Sequence, residues 1–167
     1  MINICIFEDN LFQKLEPLTF TRPIYDILVG TNTLFDKINR FYGYGNISLH
    51  CREELKPLLK EKYKNYQINT INFATPGLFI NGRVLLTKEL FTLLNKVDTE
   101  KNQIFTYKGS LVAAYLRADQ LSIMKKKLAS IPSSKELIDI LRKKCITKEI
   151  ENIKIINKKY SIEATPT

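Results

Sequence analysis

The chain has 167 residues and a mass of 19.4 kDa, the size of one domain, which excludes a large multidomain enzyme. Apolar residues make up 44% and charged residues 26%, so a packed core is expected, wholesale disorder is not, and no apolar run approaches the ~20 residues of a membrane span. The net charge of +9 sits mostly in the second half: residues 1–80 carry nine Lys/Arg against eight Asp/Glu, and residues 81–167 carry seventeen against nine.

In chain order, INICIF at residues 2–7 is a nearly continuous apolar run with β-branched content, which reads as a buried strand opening an α/β domain. The acid that follows, and the lack of a basic start or a small-residue cleavage site, argue against a signal peptide and for a cytoplasmic protein. The strand stops at Glu8-Asp9-Asn10, at the carboxyl end where open α/β sheets bind ligands. Leu11–Gly30 has few helix signals and two prolines, Pro17 and Pro23. Long irregular segments in compact domains are functional or disordered, and the apolar Leu15, Leu18, Phe20, Ile24 and Tyr25 argue against disorder.

Thr33, with Asp36 three residues on, caps a helix running to Phe41, with Leu34, Ile38 and Phe41 at helical spacing. Asn46–Cys51 reads as a strand and Arg52–Tyr63 as a helix shortened or kinked at Pro57. Ile68–Phe73 reads as a strand, Thr75-Pro76-Gly77 as a turn, and Leu78–Leu86 as a strand that Asn81-Gly82 breaks into a tight hairpin. Thr87 caps a helix to about Val97. Gln103–Tyr107 and Leu111–Leu116 flank Lys108-Gly109-Ser110 as a hairpin. Helices at Ala118–Ala129 and Ser133–Cys145 follow, the second with a capping box of Ser133 and Glu136. Ile150–Ile156 alternates weakly as a last strand. No repeat or low-complexity linker interrupts the chain, so residues 1–167 read as one α/β domain.

Cys5, Cys51 and Cys145 are far apart and odd in number, and read as small buried hydrophobes in a reducing compartment. The single histidine, His50, forms no zinc spacing. Its neighbour Cys51 points to the other side of a strand, against a cysteine–histidine couple. The informative stretch is LEPLTFTRPIYDILVG. Pro17 and Pro23 stiffen it and hold Arg22 on a local frame suited to a bidentate phosphate contact. Thr19 and Thr21 add hydroxyls, Asp26 is a candidate to order Arg22 or cap the next segment, and Gly30 permits close backbone approach before a helix. The alternative is a packed loop with an Arg22–Asp26 pair. Tyr42 and Tyr44 read as base-stacking candidates or as aromatic loop packing.

The pattern FEDN, then PLTFTRPIYDILVG, then FINGRVLL, resembles the atypical N-terminal nucleotidyltransferase domain of GlmU-like sugar nucleotidyltransferases. PLTxTRPxxDxxxG and NGR are its most specific parts, and the resemblance covers roughly residues 2–117. It implies a Rossmann-like nucleotidyltransferase domain, a mixed and mostly parallel sheet flanked by helices, in this chain the N-terminal part of a longer protein or a stand-alone relative. It also implies a sugar-1-phosphate nucleotidyltransferase of cell-surface sugar synthesis, uridylyl- or thymidylyl-specific, with UDP-N-acetylglucosamine-type products. Its partners would be a nucleoside triphosphate, a sugar-1-phosphate and Mg²⁺, the metal ligands unassigned; homo-oligomerisation stays open. Asp9 and Asn10 would lie near the nucleotide, and Arg22 would be the catalytic contact to triphosphate or sugar phosphate. Thr19, Asp26 and Gly30 would shape the same loop, and Asn81 and Arg83 would face the sugar from a central strand.

Typical members carry a glycine-rich LxxGxGTR loop after the first strand, and IFEDNLFQKLEPLT has no glycine, so the backbone cradle for phosphates is differently built. A non-catalytic domain of the same ancestry, binding a nucleotide sugar or a partner subunit, is therefore the second reading. For NGR the alternative is a turn with Arg83 at the surface. A nucleic-acid-binding module built on Lys125–Lys127, Arg142–Lys144 and Lys158-Lys159 is a third and disfavoured reading, since no recognition signature accompanies those runs.

Overall fold

A computed structural model describes residues 2–43, 46–72 and 76–157. Their sheet has the strand order β5-β4-β1-β6-β8-β7-β9. β1 (Asn3–Phe7) pairs in parallel with β4 (Asn46–His50) on one side and with β6 (Gly77–Asn81) on the other. β5 (Gln67–Ile68) extends β4 in parallel. Beyond β6 come β8 (Ser110–Leu116), β7 (Gln103–Tyr107) and β9 (Ile146–Glu149), with β8 alone running against its neighbours. The sheet is mixed and mostly parallel, as expected. A short separate ribbon joins β2 (Leu28–Val29) to β3 (Asn32–Thr33).

The strand period of two divides the core into two layers. Ile4 and Ile6 of β1, with Ile47 and Leu49, pack under α1 (Leu34–Tyr42), α2 (Lys56–Lys62) and α3 (Lys88–Asn95). Cys5 and Phe7 point the other way and pack with Phe79 and Ala114 under α4 (Ala118–Leu128) and α5 (Ser134–Leu141). A strand covered on both faces must be apolar throughout, which is why INICIF shows no alternation.

Local signals explain the element ends. Both capping boxes form, Thr33 with Asp36 and Ser133 with Glu136, and the Thr87 side chain accepts from the Leu90 amide. Lys108 and Gly109 have φ of 46° and 76°, the left-handed pair that a two-residue hairpin turn needs. Two expectations need correction. The segment after β6 does not form a hairpin: β6 ends at Asn81, the Val84 amide donates to the Asn81 carbonyl at 3.0 Å, and β6 is flanked by β1 and β8. The expected helix from Arg52 starts later, as a 3-10 turn at Glu53–Leu55 leading into α2, with Pro57 in its first turn where the missing amide does no harm. The last strand is β9, ahead of 150–156; there Ile155 makes only an isolated bridge to Val84. The calls on Phe73, Thr75, Tyr44, Gly45, Lys158 and Lys159 lie outside the described residues.

Candidate active site

The sheet order reverses at β1, with β4 and β5 on one side and β6 and the rest on the other. In a parallel sheet this opens a crevice at the carboxyl ends of β1 and β6. Register places Phe7, His50 and Asn81 side by side at that edge. The residues just beyond them, 8–30, 51–55 and 82–86, surround the candidate site.

At the crevice the structure brings together Asp9, Asn81 and Arg83. Arg83 is fully buried, which removes the alternative of a surface arginine. Its Nε donates to both Asp9 carboxylate oxygens at 3.0 Å, and its Nη2 donates to Asp9 Oδ2 at 2.7 Å and to Ser134 Oγ at 3.3 Å. Nη1 donates to the Ile156 carbonyl at 3.1 Å and to Asn157 Oδ1. Asn81 Nδ2 donates to Asp9 Oδ2 at 2.9 Å, Ser134 Oγ donates to the same oxygen at 3.2 Å, and the Leu11 amide donates to Asp9 Oδ1 at 3.2 Å. A buried ion pair of this kind holds only when its remaining donors and acceptors are met, and here they are. Asp9 and Arg83 thus form the floor of the crevice, facing each other.

That floor bears on the expected Mg²⁺. Among the described residues no group of three or more His, Cys, Asp or Glu side chains stands close enough to hold a metal ion. Asp9, the carboxylate at the switch point, has both oxygens committed to Arg83, Asn81, Ser134 and Leu11. The donor set does not fit a protein-held Mg²⁺ ion.

The second cluster was not singled out from sequence: Glu8 and Arg52. Glu8 is buried at the end of β1, with Arg52 Nε 3.2 Å from its Oε2. The Arg52 amide donates to Glu8 Oε2 at 3.3 Å, and the Ile24 amide donates to Oε1 at 3.2 Å. Burial outweighs the nearby guanidinium and pushes the Glu8 carboxyl up to about 7. The available signal was position: each residue follows an apolar strand at its carboxyl end, but Arg52 had been assigned to a helix.

The loop 16–30 is anchored at several points and exposed at its tip. Thr19 is buried, and its hydroxyl donates to the Phe12 carbonyl at 2.7 Å, so it is no free donor. Asp26 does not order Arg22; its carboxylate accepts from Lys62 Nζ at 2.8 Å and from the Tyr63 hydroxyl. The reason is that α2 passes over the loop and brings a cation and a phenol to Asp26. Tyr25 is buried against Gly82, where an added Cβ would fall 2.8 Å from the ring and 3.0 Å from the Phe7 carbonyl. The glycine of NGR is thus the seat for the loop. Gly30 has a different role from the expected close approach. It takes φ of 75° in the exposed two-residue turn between β2 and β3, and a Cβ there would meet nothing within 4 Å. Asn10 begins the 3-10 turn Asn10–Leu15, and its amide donates to the Pro132 carbonyl at 3.2 Å. Arg22 is exposed beside Phe20 and Thr21. Tyr42 packs edge-on against Phe91, ring centroids 5.1 Å apart, as aromatic packing.

The three cysteines are buried and unbridged. Burial pushes the Cys51 thiol up to about 12 and pulls His50 down to about 4, against the upward pull of Glu53. A nucleophilic thiol paired with a base requires the opposite shift of the thiol.

A family model described as sugar nucleotidyl transferase matches residues 4–162 of this chain. The chain belongs to that family. Among curated proteins none matches it. The sugar nucleotidyl transferase fold recurs in solved structures. CTP:phosphocholine cytidylyltransferase from Streptococcus pneumoniae is 14% identical with a TM-score of 0.54, covering 94% of each chain. Molybdopterin-guanine dinucleotide biosynthesis protein A from Archaeoglobus fulgidus is 9% identical with a TM-score of 0.57, covering 90% of this chain and 84% of that one. At these identities the likeness is one of fold. No helix among the described residues is long and apolar enough to cross a membrane.

Proposed function

We propose that this chain is a sugar-1-phosphate nucleotidyltransferase. A phosphate oxygen of the sugar-1-phosphate attacks the α-phosphorus of a nucleoside triphosphate, the bond to the β-phosphate oxygen breaks, and pyrophosphate leaves. The observation that carries the reading is the family match across residues 4–162. In its finer form the reading is a cytoplasmic, GlmU-like uridylyl- or thymidylyltransferase of cell-surface sugar synthesis, with UDP-N-acetylglucosamine as a candidate product.

In such a reaction the protein mainly positions the reactants and offsets charge. Arg22 is exposed at the carboxyl edge on an anchored loop, suited to a bidentate phosphate contact. Asn10 borders the same edge. Asp9, Asn81 and Arg83 act below it as a rigid, internally neutralised floor. Mg²⁺ remains an assay variable, and no step is assigned to it.

The commitment of Asp9 and Arg83 to each other favours one second reading, a non-catalytic domain of the same ancestry that binds a nucleotide sugar or a partner subunit. A thermal-shift panel of nucleoside triphosphates, sugar-1-phosphates and nucleotide sugars, with and without Mg²⁺, separates the two. A ligand at 100 times its Kd adds about 2.7 kcal/mol, a rise of about 5–10 °C in Tm for a domain of this size. The expected outcome is a shift with one triphosphate that Arg22→Ala abolishes, with the apo Tm unchanged because the side chain is exposed, and pyrophosphate release with the matching sugar phosphate. Binding without pyrophosphate release supports the second reading, and no shift with any ligand sinks the first.

A further inference from the structure

Arg52 and Glu8 account for how the exposed tip of the loop is held. Arg52 Nη2 donates to two carbonyls three residues apart, Thr19 at 2.5 Å and Arg22 at 3.3 Å. Drawing those carbonyls to one nitrogen pinches the chain, and the intervening Phe20 and Thr21 project outward. Phe20 is 60% exposed. The guanidinium lies over the Phe12 ring, 3.9 Å from its centroid, and its Nε faces Glu8 Oε2. Glu8 also accepts from the Ile24 amide, two residues past Arg22. The backbone of Arg22 is thus held at its carbonyl by Arg52, and just beyond by Pro23 and by Glu8.

Charge assigns different tasks to the two arginines. The charge of Arg52 is matched by Glu8 inside the protein, whereas Asp26, the nearest acid in sequence to Arg22, is taken by Lys62 and Tyr63. Lysine cannot reproduce the clamp, since it lacks the planar fork that faces Glu8, lies on a ring and donates to carbonyls together.

We propose that Arg52 is a positioning residue for ligand binding: held by Glu8, it clamps the carbonyls of Thr19 and Arg22 and so aims Arg22 at the phosphates of a nucleoside triphosphate. The proposal rests on the nucleotidyltransferase reading above and adds to it the residue through which Arg22 is set.

The test is a double-mutant cycle read by calorimetric titration with inorganic triphosphate, the anion common to all nucleoside triphosphates, and with UTP. Chymotryptic cleavage after Phe20 serves as a ligand-free readout. Arg52→Lys is expected to weaken triphosphate binding about tenfold in the wild-type background, to have no further effect in Arg22→Ala, and to speed cleavage after Phe20. Glu8→Gln, which keeps the shape and removes the matching charge, is expected to act in the same direction and serves if Arg52→Lys fails to fold. An equal loss in both backgrounds, or unchanged cleavage after Phe20, overturns the role of Arg52 while leaving Arg22 and the reading of the site in place. A wild type that binds neither probe overturns that reading, and the role of Arg52 falls with it.

Discussion

Glu8 and His50 end adjacent strands and are both buried, yet their burial drives stability in opposite directions with pH. Glu8 is raised from 4.5 to about 7, so the folded state binds its proton first. Its contribution is full below about pH 4.5 and is lost as pH rises through 7. His50 is lowered from 6.5 to about 4, so its contribution is present above pH 6.5 and is lost as pH falls through 4. Between about 4.5 and 6.5 the two slopes oppose each other. Glu8→Gln should expose the His50 slope, with stability rising more steeply with pH than in the wild type; His50→Gln should expose the Glu8 slope, with stability falling toward pH 7. Urea midpoints across pH 4–8 check this, and parallel profiles for all three proteins would refute it. Arg52, Asp9, Cys51 and Tyr25 also face Glu8, so differences between variants carry the argument.

At the scale of elements, caps and turns were legible because their chemistry is local. Thr33 with Asp36, Ser133 with Glu136, and the Lys108-Gly109 turn satisfy or bend a backbone within four residues, and no distant partner is needed to recognise them. Ser133→Ala removes the acceptor for the Glu136 amide and should cost about 1 kcal/mol in urea unfolding. An unchanged midpoint would mean that packing of Leu137 and Leu141 alone sets the start of α5. The end of β6 was misjudged for the converse reason. Asn81-Gly82 carries the composition of a hairpin turn, but the Gly82 amide is claimed by the Phe7 carbonyl at 2.8 Å, a bond across strands 75 positions apart in sequence that no local pattern encodes.

Across the whole molecule the Asp9–Arg83 pair ties the end of β1 to the turn after β6, to α5 through Ser134, and to Ile156 and Asn157. Removing one member leaves a buried charge unmatched, so Asp9→Ala or Arg83→Met should each cost about 3–5 kcal/mol. The double substitution should cost less than the two together, because the second change removes a penalty created by the first. Equilibrium unfolding of the four proteins checks this; single losses below about 1 kcal/mol would show that the pair is not a tie between the layers.

The sequence by itself determined the apolar strands, the capped helices, the α/β class and the segment on which the candidate site is built, since each is written in periodicity and nearest neighbours. Only the tertiary structure decided how the charged residues are used. Asp26 could face Arg22 in sequence, but α2 delivers Lys62 and Tyr63 to it; Arg83 could lie at the surface, but β1 delivers Asp9. A buried charge is satisfied by whatever the packing of distant elements brings within about 3 Å, and that choice is made by the fold.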